Sequence, residues 1–303
     1  MPVYRSLKND LIERFGEPVL KIPLNAGFTC PNLDGSKGRG GCIYCDNAAF
    51  SPVARNRDDV MQQMRAGIKR AGDRFRLFVA YFQPYSNTYA AVDYLRQTFE
   101  PVLQIPGVAG ISIGTRPDCF SAEIYDYLQE LAEKTWLSVE IGVQSAHEPT
   151  LQKINRKHTF AESVAVFREL AARNIESVAH VMFGLPGESR EQMLETVERL
   201  AELPVKGLKF HQLMVIRNTA LERLYRRGQY QPLAEETYIT LVAEAIRRMR
   251  PDQVVHRLMA DCRPQDGLLA PLWSMQKKRV LNAMQVYFQK NHIQQGEYFA
   301  ATP

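Results

Sequence analysis

The chain has 303 residues, 45% of them hydrophobic and 23% charged, with a formal net charge of +5. That length buries one large core, or one core and a small appendage, and no run approaches the roughly 20 apolar residues of a membrane span. The start, MPVYRSLKNDLIERF, has no apolar signal core or small-residue cleavage site, and five cysteines with three clustered argue against a disulfide framework, so a reducing, cytoplasmic setting is expected.

Residues 1–18 read as an N-terminal helical segment. From residue 19 onward, short apolar, β-branched runs alternate with longer amphipathic ones, which predicts strands at 19–24, 77–82, 109–114, 136–143, 178–184 and 208–215. Helix starts between them are marked by Ser121 with Glu123 in the first turn and by two capping boxes, Thr159 with Glu162 and Ser189 with Gln192. Six such units predict an α/β fold, a partial (β/α)6 open TIM-type barrel over 19–220, with the active site at the C-terminal ends of its strands. Residues 216–250 read as helical, QVVHRL as a short strand and 275–290 as a last helix; 221–303 would form a small C-terminal extension. That quarter holds 12 Lys/Arg against 8 Asp/Glu, or +4 of the total +5. Arg226, Arg227, Arg247, Lys277, Lys278 and Arg279 could face phosphate, although a solvated helix surface accounts for such residues equally well.

Chemistry concentrates in CPNLDGSKGRGGCIYC, which carries Cys30, Cys42 and Cys45 with no further Cys or His nearby. A structural zinc closes its tetrahedron with four protein ligands, whereas a cubane iron–sulfur cluster on three thiolates leaves one iron open to something else. Gly35, Gly38, Gly40 and Gly41 let the loop wrap such a cluster closely. Zinc would need a distant fourth ligand, and a redox C-x-x-C is a weaker reading. Cys119 and Cys262 read as small buried residues.

Polar residues stand at the ends of the predicted strands. Alternation puts Glu140, Gly142 and Gln144 on one face of a strand that ought to be buried, so the two polar groups need partners. Arg116 either faces the barrel mouth with Thr115 and Asp118 or pairs with Glu140. Asn87 and Thr88 either serve a ligand or cap the next helix. His158 reads as a surface residue, His180 as a satisfied core histidine, and His211, near Lys209 and Gln212, as a substrate contact.

In chain order, KIPLNAGFTCPNLDGSKGRGGCIYC, YFQPYSNTYA, GISIGTRPDC, VEIGVQSAHEPTLQKINRKHT, HVMFGLPGES and KFHQLMVIRNT together resemble the YhcC/YtqA family of radical S-adenosylmethionine (SAM) proteins, from about Lys21 to Trp273. A more distant resemblance is to the Elongator catalytic subunit, whose branch shares the widened cysteine spacing. The resemblance implies a [4Fe–4S] cluster on Cys30, Cys42 and Cys45, reduced by an external electron donor. The cluster cleaves SAM to a 5′-deoxyadenosyl radical that takes hydrogen from substrate. It further implies Tyr44 beside the adenine, Arg156 on the SAM carboxylate, Gly184 where the backbone approaches the adenine edge, and SAM contacts from Arg116, Glu140 and Gln144. YFQ departs from the usual pattern, offering Gln83 where a Glu meets the SAM ammonium. His256-Arg257-Leu258 and Ala270-Pro271-Leu272-Trp273 resemble elements of the family's C-terminal domain. A tRNA wobble-uridine side chain of the carboxymethylaminomethyl type is the implied substrate. Two other classes remain open: an iron–sulfur electron-transfer or assembly protein without SAM chemistry, and a zinc-binding RNA adaptor.

Overall fold

The structure, a computed structural model, describes residues 3–51, 53–262 and 264–299, so the outermost ends of the expected terminal segments lie outside the described residues. Its strands are β1 (Val19–Leu24), β2 (Leu77–Phe82), β3 (Val108–Thr115), β4 (Trp136–Gln144), β5 (Glu176–Phe183), β6 (Gly207–Gln212), β7 (Val215–Ile216), β8 (Val254–Arg257) and β9 (Leu268–Ala270). Seven are parallel, in the order β1-β2-β3-β4-β5-β6-β8, and curl into a half-barrel; β7 and β9 form a separate antiparallel pair.

Parallel order follows from the helices that return the chain over one face, including Val60–Ala71, Val92–Phe99, Ala122–Lys134, Phe160–Ala172 and Arg190–Ala201. The three expected caps are formed: Ser121 accepts from the Ile124 amide, and both capping boxes close reciprocally. Between sheet and helices lies a dry core with Phe82 packed on Phe99 at 4.5 Å and Phe183 on Phe210 at 5.5 Å. Among the described residues no helix is long and apolar enough to cross a membrane.

The C-terminal segment departs from expectation. The sixth strand stops at Gln212 instead of 215, because the Gln212 amide side chain bonds both backbone groups of Ala260 and leaves Val215–Ile216 to pair with β9. The helical stretch from 216 divides into Ala220–Arg226 and Glu235–Arg248, with Gly228 at φ 70° and Pro232 between them. QVVHRL does not stay in an appendage: as β8 it becomes the seventh strand of the main sheet. The N-terminal helix Leu7–Phe15 lies beside it, with the Val255 amide donating to Arg5 O.

Two measurable consequences follow from this packing. A Cβ on Gly207 would lie 2.6 Å from Val254 O and 2.7 Å from His256 Cδ2, so Gly207→Ala should loosen β8 and cost about 1–3 kcal/mol by urea denaturation; an unchanged midpoint would contradict this packing. Separately, Ser145 Oγ donates to Glu188, joining the end of β4 to the loop after β5. Burial raises the Glu188 carboxyl from 4.5 to about 7, with the Ser145 bond opposing it. The folded chain therefore holds this proton more tightly than the unfolded one. The contribution is fully present below about pH 4.5 and lost as pH rises through about 7. Glu188→Gln should flatten the stability profile in that window, and an unaltered slope would count against the assignment.

Candidate active site

The segment after β1 is pinned before it reaches the cysteines. Asn25 donates to Ala54 O and Asn56 O and its amide donates to Gln63, so the cysteine loop starts from a fixed point at the strand end. Farther on, Ile43 N donates to Ile154 O, and Asn155 Nδ2 donates to Gly41 O at 2.7 Å. Gly41 has φ 71°, and a Cβ there would strike Leu33 at 2.8 Å, so only glycine lets the loop close.

Cys42 is buried, while Cys30 and Cys45 are half-buried. Burial by itself would raise the Cys42 thiol, but the Arg156 charge and hydrogen bond, with Arg116 behind, outweigh it and hold the thiol below its ordinary value. Arg156 Nη1 lies 3.5 Å and Asn32 Nδ2 3.6 Å from Cys42 Sγ. Cys45 behaves oppositely: burial, then the neighbouring Cys42 and Cys30, push it up to about 12. Three thiols on one loop, one of them eased toward thiolate by an arginine, are the donor set of an iron–sulfur cluster. Among the described residues no three His, Cys, Asp or Glu side chains converge tightly enough to hold a single ion. A cubane, whose thiolates bind different irons, does not require them to.

The three thiols open onto a cavity of about 340 Å³ at the C-terminal ends of the strands. Tyr44, Gln83, Arg116, Glu140, Gln144 and Arg156 also line it, and so do His180 and His211. Gln144 sits at a register shift in β4 with φ 73°, an uncommon conformation for a non-glycine residue, and its buried Oε1 has no partner.

Several expected roles change. Arg116 does not pair with Glu140: its Nε and Nη2 grip Asp118 at 2.8 Å each, Nη2 also donates to Arg156 O, and Nη1 is left buried without a partner. Burial opposes ionisation of Asp118, but Arg116 and Lys37 bring it down to about 2. Arg156, expected on the SAM carboxylate, is committed on all three nitrogens, to Cys42, to Gly142 O and to His158 Nε2. His158 is therefore no surface residue; burial and then the two arginines lower it to about 3, leaving a neutral acceptor. Asn87 and Thr88 cap nothing: Asn87 donates to three carbonyls, Thr88 to Cys119 O, and the following helix has Ala91 at its cap. Gly184 does not line the cavity; its φ of 89° serves packing, with its carbonyl accepting from Tyr230 OH and Leu233 3.0 Å from where a Cβ would stand. His180 is on the cavity wall rather than in the core.

Sequence reasoning missed the network around Glu140. Lys21 donates to Oε1 at 2.6 Å and Lys209 to Oε2 at 2.5 Å, Tyr81 OH donates to Oε2 at 2.7 Å, and Ser112 accepts from Lys21. Burial would raise the carboxyl, yet Lys209 and Lys21 hold it well below the usual range, while burial brings Lys209 down to about 8. His256 lies 4.0 Å from Glu140 without forming an ion pair, because burial and then Lys21 keep the imidazole neutral, near 3. The available signal was a lysine inside each of two short strands, Lys21 in β1 and Lys209 in β6.

The basic quarter is largely answered from within the chain. Arg226 pairs with Glu222, Arg247 with Glu297, Lys277 with Asp261 and Arg279 with Glu235; Arg227 and Lys278, like Arg223 and Lys290 in the same quarter, are exposed without an ion pair among the described residues.

The Radical SAM superfamily profile matches residues 36–200, and the Radical_SAM C-terminal domain profile matches 205–290. The chain belongs to the radical SAM superfamily. Within it, the chain is 38% identical to YtqA of Bacillus subtilis (strain 168) over 98% of this chain and 92% of that protein. It is 34% identical to Protein YhcC of Escherichia coli (strain K12) over 94% and 92% respectively. Elongator complex protein 3 of Homo sapiens is 31% identical over 58% of this chain and 31% of its own length. The archaeal Methanocaldococcus infernus Elp3 with an N-terminal deletion superposes with a TM-score of 0.66 at 16% identity, over 91% of this chain and 64% of that one, a likeness of fold. Superfamily membership implies SAM and a [4Fe–4S] cluster.

Ala substitution of Cys30, Cys42 or Cys45 should abolish bound iron after anaerobic reconstitution, whereas Cys119→Ala and Cys262→Ala should retain it. Cys119 is buried with its thiol pushed up to about 12, and Cys262 packs among Met214, Ile216 and Leu268. Full iron content in a variant lacking all three loop cysteines would overturn the ligand assignment.

Proposed function

We propose that Cys30, Cys42 and Cys45 hold one [4Fe–4S] cluster whose open iron takes SAM, and that this radical SAM enzyme acts on a tRNA wobble-uridine side chain. The observation that carries the first part is the meeting, in one cavity, of three thiols with no fourth and of strand-end polar atoms without partners. When bound, the cluster supplies the electron that cleaves SAM to methionine and a 5′-deoxyadenosyl radical. The chain's own residues then divide the labour. Arg156 and Asn32 favour the thiolate form of Cys42 and fix its loop. Arg116, with Nη1 unpaired, suits the SAM carboxylate, and Gln144 Oε1 with Gln83 suits the ammonium. Tyr44, whose buried hydroxyl lacks a partner, suits the nucleoside. An electron carrier would have no use for the unpartnered atoms of Arg116, Gln144 and Tyr44.

The substrate reading is supported by relationship to YtqA, YhcC and, more distantly, Elongator complex protein 3, where resemblance implies wobble-uridine chemistry, on a carboxymethylaminomethyl-type group within the YhcC/YtqA family. With four of the six basic residues paired internally, phosphate contact would fall to Arg227, Lys278 and whichever pairs open on binding. Reconstituted, dithionite-reduced protein should release 5′-deoxyadenosine from SAM. Arg116→Lys, which keeps the charge and loses the fork, should retain iron and weaken SAM by about 1.5–3 kcal/mol. Absence of SAM binding by iron-replete wild type would defeat the enzyme reading. An unaltered wobble-uridine profile in tRNA from a deletion strain would defeat the substrate reading alone.

A further inference from the structure

The cavity contains a cation, Arg257, that no carboxylate of the described residues reaches within ion-pair distance. Arg257 stands on β8, at the opposite edge of the sheet from β1 and the cysteine loop. Its register partner on β6 is Lys209, which in turn faces His180 on β5. All three residues line the cavity. The two carboxylates on the lining are already taken, Glu140 by Lys21 and Lys209, and Asp261 by Lys277 at 2.8 Å. Arg257 has only neutral acceptors: Nε points to Phe210 O at 3.4 Å, and Nη2 lies 3.1 Å from His180 Nε2. Burial, and then the charge of Arg257 itself, keep His180 neutral, so its Nε2 accepts. Among the described residues Nη1 has no hydrogen-bond partner and no carboxylate lies within ion-pair distance of the guanidinium. A charge held in a cavity without a counterion is unfavourable until an anion arrives.

We infer that Arg257, oriented by His180, receives a carboxylate of the substrate and selects for it. This rests on reading the cavity as the place where substrate meets SAM. The guanidinium keeps the donors of Nη1 for a carboxylate, on a plane that Phe210 O and His180 already orient, whereas the neighbouring Lys21 and Lys209 are point charges engaged by Glu140. SAM draws on the other side of the cavity, where Arg116 on the β3 end and Gln144 on β4 have their unpartnered atoms. The carboxylate could belong to a free small acid or be carried on a nucleoside side chain, and the chemistry of recognition is the same.

The test uses iron-reconstituted wild type, Arg257→Gln and Arg257→Lys, all saturated with SAM. One arm titrates N-methylglycine against its neutral amide and against inorganic phosphate. The second titrates tRNA bearing a carboxymethylaminomethyl wobble uridine against the same tRNA bearing the aminomethyl group. Wild type should prefer the carboxylate about 10- to 100-fold, Arg257→Gln should erase the preference, and Arg257→Lys should restore part of it. A preference in the first arm assigns a free acid, and one confined to the second assigns a nucleoside-borne carboxylate. Absence of preference in wild type, its survival in Arg257→Gln, equal binding of inorganic phosphate, or a parallel loss of SAM affinity would each overturn the inference. If wild type keeps the preference yet never cleaves SAM, the enzyme reading fails and the carboxylate receptor stands.

Discussion

Glu140 accepts hydrogen bonds from Lys21 on β1 and from Lys209 on β6, so a single carboxylate in the middle strand ties together strands from both sides of the sheet. Tyr81 from β2 bonds the same carboxylate and Ser112 from β3 bonds Lys21, so five of the seven parallel strands meet at this point. Desolvating a carboxylate and two ammoniums is costly, and short hydrogen bonds to both oxygens are what offset it. The half-barrel has no ladder of backbone bonds between β1 and β8, and this network is the side-chain link that spans its interior from β1 to β6.

Above that network the cysteine loop and the end of β4 depend on each other. Arg156 links Cys42 Sγ to Gly142 O, and a Cβ on Gly142 would stand 2.5 Å from Arg156 Nη2. The bare backbone at Gly142 is therefore what lets the guanidinium reach the thiol. Gln144, two residues on, turns into its left-handed conformation with one amide oxygen unsatisfied. Fold and site share residues here: the arginine that favours the Cys42 thiolate also fixes the strand end.

Much of this was legible in the sequence because it is local. Short apolar, β-branched runs marked six strands to within two or three residues, Ser121, Thr159 and Ser189 marked helix starts, and the three clustered cysteines do line one cavity. What escaped depends on contacts between residues far apart in the chain. Lys21 and Lys209 are 188 positions apart, and only the curl of the open sheet brings them to one carboxylate. Val254–Arg257 is too short to declare whether it joins the main sheet. Arg156 read as a free fork because its partners lie on three separate segments, Cys42 on a loop more than a hundred residues earlier, Gly142 on β4 and His158 just beyond it. The basic C-terminal quarter left phosphate contact and a solvated helix surface equally open because three of its acidic partners, Glu297, Asp261 and Glu235, are remote from the residues they pair with.

The central claim is that three protein thiolates leave one iron open for SAM. Mössbauer spectroscopy of the reconstituted cluster, with and without SAM, measures this directly. The account predicts that SAM shifts the signal of one iron while leaving the other three unchanged. A spectrum in which SAM alters no iron, or in which all four are equivalent and fully ligated by protein, would contradict it.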